Sequence, residues 1–402
     1  MIDRRSLITR SAALAATAAF GSRLTRAADA ESVTLPIGNG ARPLVRYPQK
    51  RPLIRQTSRP PQLETPFEVF DEGPITPNDA FFVRYHLAGI PYDLDPDKLT
   101  LDVSGKVDRP LKLSLAEIKA MPAAEIVAVN QCSGNSRGFF DPRVAGGQLG
   151  NGAMGNARWR GVALKTVLDR AGVQAGARQV TFNGMDVPIV ERTPDFVKAL
   201  DIDHARDGEV MLAYAMNGEP LPLLNGFPLR LVVPGFYGTY WVKHVNEITV
   251  IDGAFDGFWM KSAYRIPDTD CACVEPGTSP KATVPISRFD VRSFITNLAD
   301  GARVAAGAPL PVRGIAFDGG AGIRAVGLSV DGGTTWQDAT LGEDLGRYSF
   351  RPWQATLTLP PGAHAIKVRA TTTAGETQPA AARWNPAGYM RNVIETVSVT
   401  AA

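Results

Sequence analysis

The chain has 402 residues, more than one hydrophobic core usually holds, so two domains are the default expectation. Its 44% apolar and 21% charged residues are the composition of a folded globular protein and exclude wholesale disorder. A formal charge of +3, with no Lys/Arg-rich run interleaved with aromatics, argues against nucleic acid as a partner.

Residues 1–30 read as a targeting segment and not as part of the fold. The pair Arg4-Arg5 is followed by an apolar stretch from Ala12 to Phe20 and by Ala28-Asp29-Ala30, a small-residue site where cleavage is expected. Paired arginines before Ser6-Leu7-Ile8 are similar to the twin-arginine address, read by a receptor that exports folded proteins to the periplasm. Export in the folded state fits a cofactor loaded beforehand. Beyond this segment no apolar run of about 18 residues remains, so no membrane anchor is expected.

Residues 31–65 are rich in Pro and Arg and predict an extended arm lying on the body. From 66 to 278 the pattern is that of an α+β domain. Short β-branched runs predict strands over Leu99–Lys106, Glu125–Gln131, Gln179–Gly184, Leu229–Val233 and Val245–Ile251, and helices are expected over Leu113–Ala120 and Leu164–Ala171. Pro and Gly cluster at Glu275–Lys281, and from 279 to 402 helical signal is nearly absent. Strands predicted over Thr283–Val291, Pro311–Ala316, Ile323–Ser329, Tyr348–Leu357 and Ala365–Thr372 are spaced as in an immunoglobulin-like β-sandwich. Within it Asp331-Gly332-Gly333 reads as a hairpin turn needing positive φ, with Trp336 placed to cover the sandwich core.

Three cysteines leave at least one thiol unpaired. Cys271 and Cys273, one residue apart, could close only a small strained ring, and the preferred reading is two loop thiols. Cys132 is different. It ends an apolar strand in Val129-Asn130-Gln131-Cys132-Ser133-Gly134-Asn135-Ser136-Arg137, a polar turn with a cation five residues on. Such a setting favours the thiolate, the form that binds a soft metal.

This segment resembles the metal-binding fingerprint of the sulfite oxidase family of molybdopterin enzymes, whose cysteine ligates molybdenum. Phe81-Phe82-Val83-Arg84-Tyr85-His86, Gly155-Asn156-Ala157-Arg158-Trp159-Arg160-Gly161 (read as a turn), Gly226-Phe227-Pro228-Leu229-Arg230 and Val233-Pro234-Gly235 through Lys243 extend the likeness. The C-terminal Ser329–Trp336 and Arg383-Trp384-Asn385-Pro386 segments are similar to that family's dimerisation domain.

The resemblance implies an exported sulfite dehydrogenase with a Mo-molybdopterin cofactor, a homodimer that oxidises sulfite to sulfate. Electrons would pass singly to a separate periplasmic cytochrome c, because no haem or flavin motif is visible in this chain. It implies Cys132 as metal ligand; Arg84, Arg137 and Tyr264 as catalytic groups beside it; and Phe82, Val83, Arg84, Tyr85, His86, Asp186, Asn225, Arg230, Trp241, Val242 and Lys243 as cofactor contacts. Paired arginines suit a small oxyanion because each planar fork holds two oxygens and keeps its charge. His204, His244 and His364 are read as structural. Two positions depart from the animal members: Asn225 stands where they carry histidine, and Ala387 where they supply another arginine to the substrate pocket. Two rivals are a sulfoxide-reducing molybdoenzyme, which usually lacks the sandwich, and a non-catalytic binding module with a degraded pocket.

Overall fold

The structure is a computed structural model that describes residues 31–35 and 38–402; the expected export signal lies outside the described residues. Ser32–Ala402 forms one compact unit built mostly of strands, with short helices. The arm is extended, as its composition implies, and it is also ordered as a sheet. Ser32–Leu35, Gly40–Val45, Leu53–Ser58 and Pro61–Glu64 pair antiparallel in sequence order and end on Val83–Arg84. Leu53 and Leu63 from the arm bury against Val83 and Tyr85, so alternation along the strands ties the arm to the body.

Two further sheets carry the middle of the chain. One has the order Lys198–Asp201, Gln179–Gly184, Val245–Ile251, Thr100–Gly105 and Leu111–Ser114, and its inner face buries Val180, Phe182, Ile248, Val250, Leu101 and Val103. In the other, Ala123–Gln131 pairs with Met154–Ala163 along its whole length, Gln131 opposite Met154, and Met211–Met216 extends the sheet. The 155–162 segment is therefore strand and not the turn read from its motif. Its apolar signal is broken by Arg158 and Arg160, which point outward and are exposed. The first expected helix is shorter than its window. Leu111–Ser114 is strand, and Ser114 then caps Leu115–Lys119 in a capping box with Glu117. Leu164–Ala171 forms as expected and ends on Gly172 at φ +73°.

The C-terminal sandwich packs a four-stranded sheet, Arg292–Ile295, Pro309–Phe317, Arg351–Thr358 and Thr340–Leu341, on a five-stranded one. The second runs Ala302–Val304, Glu395–Ala401, Gly362–Thr372, Ile323–Ser329 and Gln337–Asp338. Val312, Trp353, Val326, Leu328, Ile366 and Val368 fill the space between them. Trp336 does not: it is half-buried, donates to the Gly333 carbonyl at 3.0 Å and lies under the Arg369 guanidinium at 4.1 Å. The turn it follows has the positive φ expected, at +80° for Gly332 and +100° for Gly333. Of the run expected over Thr283–Val291 only Thr283–Pro285 is strand, and it pairs with Arg265–Pro267 outside the sandwich. The Cys271 and Cys273 thiols, read as free, form a disulfide with Cα atoms 5.1 Å apart, a span that a single intervening residue in αL conformation, Ala272 at φ +50°, allows.

The sandwich is joined to the rest through a continuous aromatic core. Phe67 meets Phe294 at 5.5 Å and Phe70 meets Phe350 at 5.9 Å. The Val129 amide, three residues before Cys132, donates to the Tyr348 carbonyl at 2.9 Å. Geometry at the Cys132 strand end is thus set from both halves of the chain.

Candidate active site

The strand Ala123–Gln131 delivers Cys132 to the floor of an inner cavity. Phe82, Arg84, Tyr85, His86, Asp186, Asn225, Arg230, Trp241, Val242, Lys243 and Tyr264 line the same cavity, so residues scattered over 180 positions converge. Val83 is the exception. Between Phe82 and Arg84 on a strand, its side chain points the other way and packs on Leu53 and Leu63. A second, outer pocket holds Arg137, with Ala387 and Tyr389 on its wall. Cys132, Arg84 and Tyr264 belong to both spaces, so the two meet at the thiol.

The turn after Cys132 is built to hold still. The Cys132 amide donates to Ala153 O at 2.9 Å, and the Asn135 side chain accepts from the Ala153 amide at 3.0 Å. Ser136 sits in the left-handed region at φ +69°, fully buried. Arg137 then curls back: its Nε donates to Ala387 O at 3.1 Å and Nη1 to Gly147 O at 3.3 Å. Its guanidinium lies 5.1 Å over the Tyr389 ring, and Tyr389 stacks on Tyr264 at 5.4 Å with 7° between planes.

Opposite Arg137, the Tyr264 hydroxyl and His86 Nε2 share a hydrogen bond, and the His86 ring stacks on Phe196 at 3.8 Å. Burial, reinforced by the Arg84, Lys243 and Lys198 cations, holds His86 well below the usual imidazole range, so the ring is neutral. Burial also raises Tyr264 above the usual phenol range, keeping it protonated. Deeper in the cavity, burial lowers Lys243 to about 7 against the pull of Asp186, and raises Asp186 to about 6 against the pull of Lys243. The Arg230 guanidinium lies over both Trp159, at 4.9 Å, and Trp241, at 5.6 Å, and donates to Asn225 O at 2.8 Å and Trp241 O at 3.3 Å. The inner cavity is therefore lined by the cations Arg84, Arg230 and Lys243 and by the Trp241 indole, a receptacle for an anionic, planar, polar ligand.

Comparison with known proteins agrees. Residues 87–259 match the description "Oxidoreductase molybdopterin binding domain" and residues 283–402 match "Mo-co oxidoreductase dimerisation domain". The chain is 33% identical to human mitochondrial sulfite oxidase over 388 residues, 92% of this chain and 70% of that one. The chain belongs to the sulfite oxidase family of molybdopterin enzymes. Arabidopsis thaliana sulfite oxidase is 31% identical over 313 residues, 75% of this chain and 79% of that one. The fold of the sulfane dehydrogenase SoxCD from Paracoccus pantotrophus superposes with TM-score 0.73 at 27% identity, covering 84% of this chain and 83% of that one.

The family's cofactor is molybdenum carried by molybdopterin, and the inner cavity fits it. Four buried polar atoms on its wall have no hydrogen-bond partner: Asn130 Oδ1, Ser133 Oγ, Thr239 Oγ1 and Arg230 Nε. Leaving such groups unmet costs about 1–3 kcal/mol each, so a wall that carries four is shaped for a polar guest. Asn130 and Ser133 stand inside the Cys132 segment and Thr239 between Gly235 and Lys243, but the resemblance assigns none of the three to the cofactor. Lys50 was also missed. Fully buried from the arm, it donates to Phe81 O at 3.0 Å and to Asn225 Oδ1, and so fixes the amide that stands in for the animal histidine. Tyr389 gave no signal beyond its place two residues after Ala387. His204, His244 and His364 stand outside both spaces; His244 is buried between Tyr85 at 2.7 Å and Phe227 O at 2.6 Å.

Two predictions arise from this packing. A Cβ at Gly134 would lie 2.7 Å from the Arg137 Cζ, and one at Gly388 2.8 Å from its Cγ, so glycines make the space in which Arg137 curls. In Gly134→Ala the guanidinium gives way, being the end of a flexible chain, and loses its two carbonyls. The KM for an anionic substrate is expected to rise about tenfold or more while circular dichroism stays unchanged, as befits loss of a charge-assisted contact. The second concerns Lys198, wholly buried, with its ammonium on Trp259 O at 2.7 Å and over the Tyr240 ring at 4.5 Å. Burial lowers it to about 7. The unfolded chain keeps the proton up to its ordinary pKa near 10.5, so the folding penalty is full below pH 7 and fades as pH rises from there. The Tm of Lys198→Met relative to the unsubstituted protein should therefore be more favourable at pH 6 than at pH 9, measured by thermal scans at both.

Proposed function

We propose that this chain is a periplasmic sulfite dehydrogenase, exported by the twin-arginine route. It would oxidise sulfite to sulfate at molybdenum held by Cys132 and pass electrons one at a time to a separate cytochrome c. The observation that carries the reading is the meeting of two spaces at one thiol: a cofactor held in the inner cavity and an anion drawn into the outer pocket would come together at Cys132. Arg230 and Lys243 would neutralise the cofactor's phosphate, Asp186 would accept from pterin amino groups, and Trp241 and Phe82 would flank the ring system. When bound, the molybdenum centre supplies oxygen-atom transfer coupled to two-electron chemistry.

The protein's part is charge and orientation. Arg84 and Arg137 draw the dianion out of water into a pocket where each cation counts for more than at the surface. The Tyr264 phenol is held by neutral His86; when Nε2 carries the shared proton, the phenol's own hydrogen is free to reach a substrate oxygen. With Ala387 in place of a third arginine, orientation rests on the two that remain. The dimerisation domain supports a homodimer as the assembly. Mature protein bearing molybdenum should reduce cytochrome c only when sulfite is added and should leave methionine sulfoxide untouched. Sulfoxide reduction without sulfite oxidation, or protein devoid of molybdenum after expression with the cofactor pathway, would refute the reading.

A further inference from the structure

Arg292 stands outside every motif singled out in the sequence, yet it is one of the most buried charged groups in the chain. It lies on the first strand of the sandwich, Arg292–Ile295, and its guanidinium reaches across to the turn that presents Cys132. Nη1 donates to Gln131 Oε1 at 3.3 Å, the residue immediately before the cysteine. Nη2 donates to Ser136 Oγ at 2.9 Å, the left-handed residue where the turn ends. One planar fork thus spans both ends of the turn. The Asn135 amide also donates to Gln131 Oε1, at 3.4 Å, so the span is braced from inside.

The cation is anchored on its far side. Nη2 also meets Glu395 Oε1 at 2.8 Å, Arg391 meets the same oxygen at 2.9 Å, and the guanidinium rests 4.4 Å from the Phe294 ring centre. A buried Arg with a buried carboxylate adds little net stability, because desolvation offsets most of the attraction. A charge kept here at that cost, with both of its inward contacts on one metal-presenting turn, points to a role in geometry.

We propose that Arg292 is a positioning residue for the metal-ligating thiol. From the dimerisation domain it sets the spacing of Gln131 and Ser136, and hence the direction in which the Cys132 Sγ points into the cavity. The proposal rests on the reading of Cys132 as molybdenum ligand. Lysine at 292 would keep the charge beside Glu395 but, as a single-centre donor on a flexible stem, could not bridge both ends of the turn. Methionine would remove both functions and still leave Glu395 paired with Arg391.

The test compares loaded Arg292→Lys, Arg292→Met and Glu395→Gln proteins with the unsubstituted one. It follows molybdenum stoichiometry, the thiolate-to-molybdenum absorption, turnover with sulfite, and Tm. Arg292→Lys should keep its fold and most of its metal while the absorption band shifts and turnover falls about 10- to 100-fold, the usual loss when a metal ligand's support is removed. Arg292→Met should lose at least as much. Glu395→Gln, which breaks the ion pair and leaves the two inward contacts, should lower Tm with a smaller loss of turnover. An unchanged band and turnover in Arg292→Lys overturns the proposal alone, as does a loss in Glu395→Gln equal to that in Arg292→Lys. Absence of the thiolate band from the unsubstituted, molybdenum-loaded protein overturns the Cys132 reading and the proposal with it.

Discussion

Cys132→Ser is expected to yield a folded protein that neither holds molybdenum fully nor oxidises sulfite. The substitution exchanges sulfur for oxygen at a buried position already bounded by fixed hydrogen bonds to Ala153 and Asn135, so the turn has no reason to open. What changes is the donor. A serine hydroxyl stays protonated at neutral pH and is hard, whereas a thiolate is soft and anionic and suits a redox metal. No replacement stands nearby. Cys271 and Cys273 are joined to each other, and among the described residues no group of three His, Cys, Asp or Glu side chains could take a metal instead. Turnover should drop by more than about 100-fold, since supports one shell beyond a ligand already cost up to that much. Metal analysis and a sulfite titration on the same preparation check it. Full molybdenum with undiminished turnover would remove Cys132 from the centre.

The parts of this molecule that announce themselves in sequence are those dictated locally. Leu164–Ala171 shows its periodicity, and Gln179–Gly184 and Val245–Ile251 show β-branched runs between turn residues, so their limits agree with the structure. Met154–Ala163 was obscured because it is half of a long hairpin whose outward positions carry Arg158 and Arg160; its strand character comes from pairing with Ala123–Gln131 across a loop. The arm conceals its order in the same way, since its strands are stabilised by pairing with one another and by burial against Val83 and Tyr85. Trp353, on the strand Arg351–Thr358, fills the sandwich core expected of Trp336, which lies just outside the strand Gln337–Asp338; a strand's residues face alternate sides, and the sequence alone does not show which indole faces in.

The same division runs through the site. Cys132, Arg84, His86 and Lys243 are visible as motif residues whose chemistry is legible from type and neighbour. Lys50, Lys198, Tyr389 and Arg292 act across distances of 100 residues or more, or are meaningful only once buried, and nothing local marks them. A surface lysine and a lysine 0% exposed are written with the same letter; only the fold makes Lys198 a titrating group near pH 7.

In Arg137→Gln, kcat/KM for sulfite should fall by about 10²–10³-fold, the range seen when one fixed donor to a developing oxyanion is removed. The side chain uses two of its five N–H groups, on Nε and Nη1, for the carbonyls of Ala387 and Gly147, while Nη2 meets no backbone carbonyl among the described residues. Glutamine can reproduce one such bond and none of the charge. Because the guanidinium attracts the anion before reaction and meets its oxygens during it, the loss should divide between a higher KM and a lower kcat. Sulfate, the product anion, should inhibit the variant much less than the parent, a check independent of turnover. Arg137→Lys restores a cation but not the planar anchoring over Tyr389, so it should recover only part of the loss. All titrations belong at one ionic strength, because salt alone screens an anion's approach. If Arg137→Gln retained its kcat/KM and its sulfate inhibition, Arg84 would be the sole guanidinium serving the anion. The outer pocket would then orient its substrate through Tyr264 and the metal.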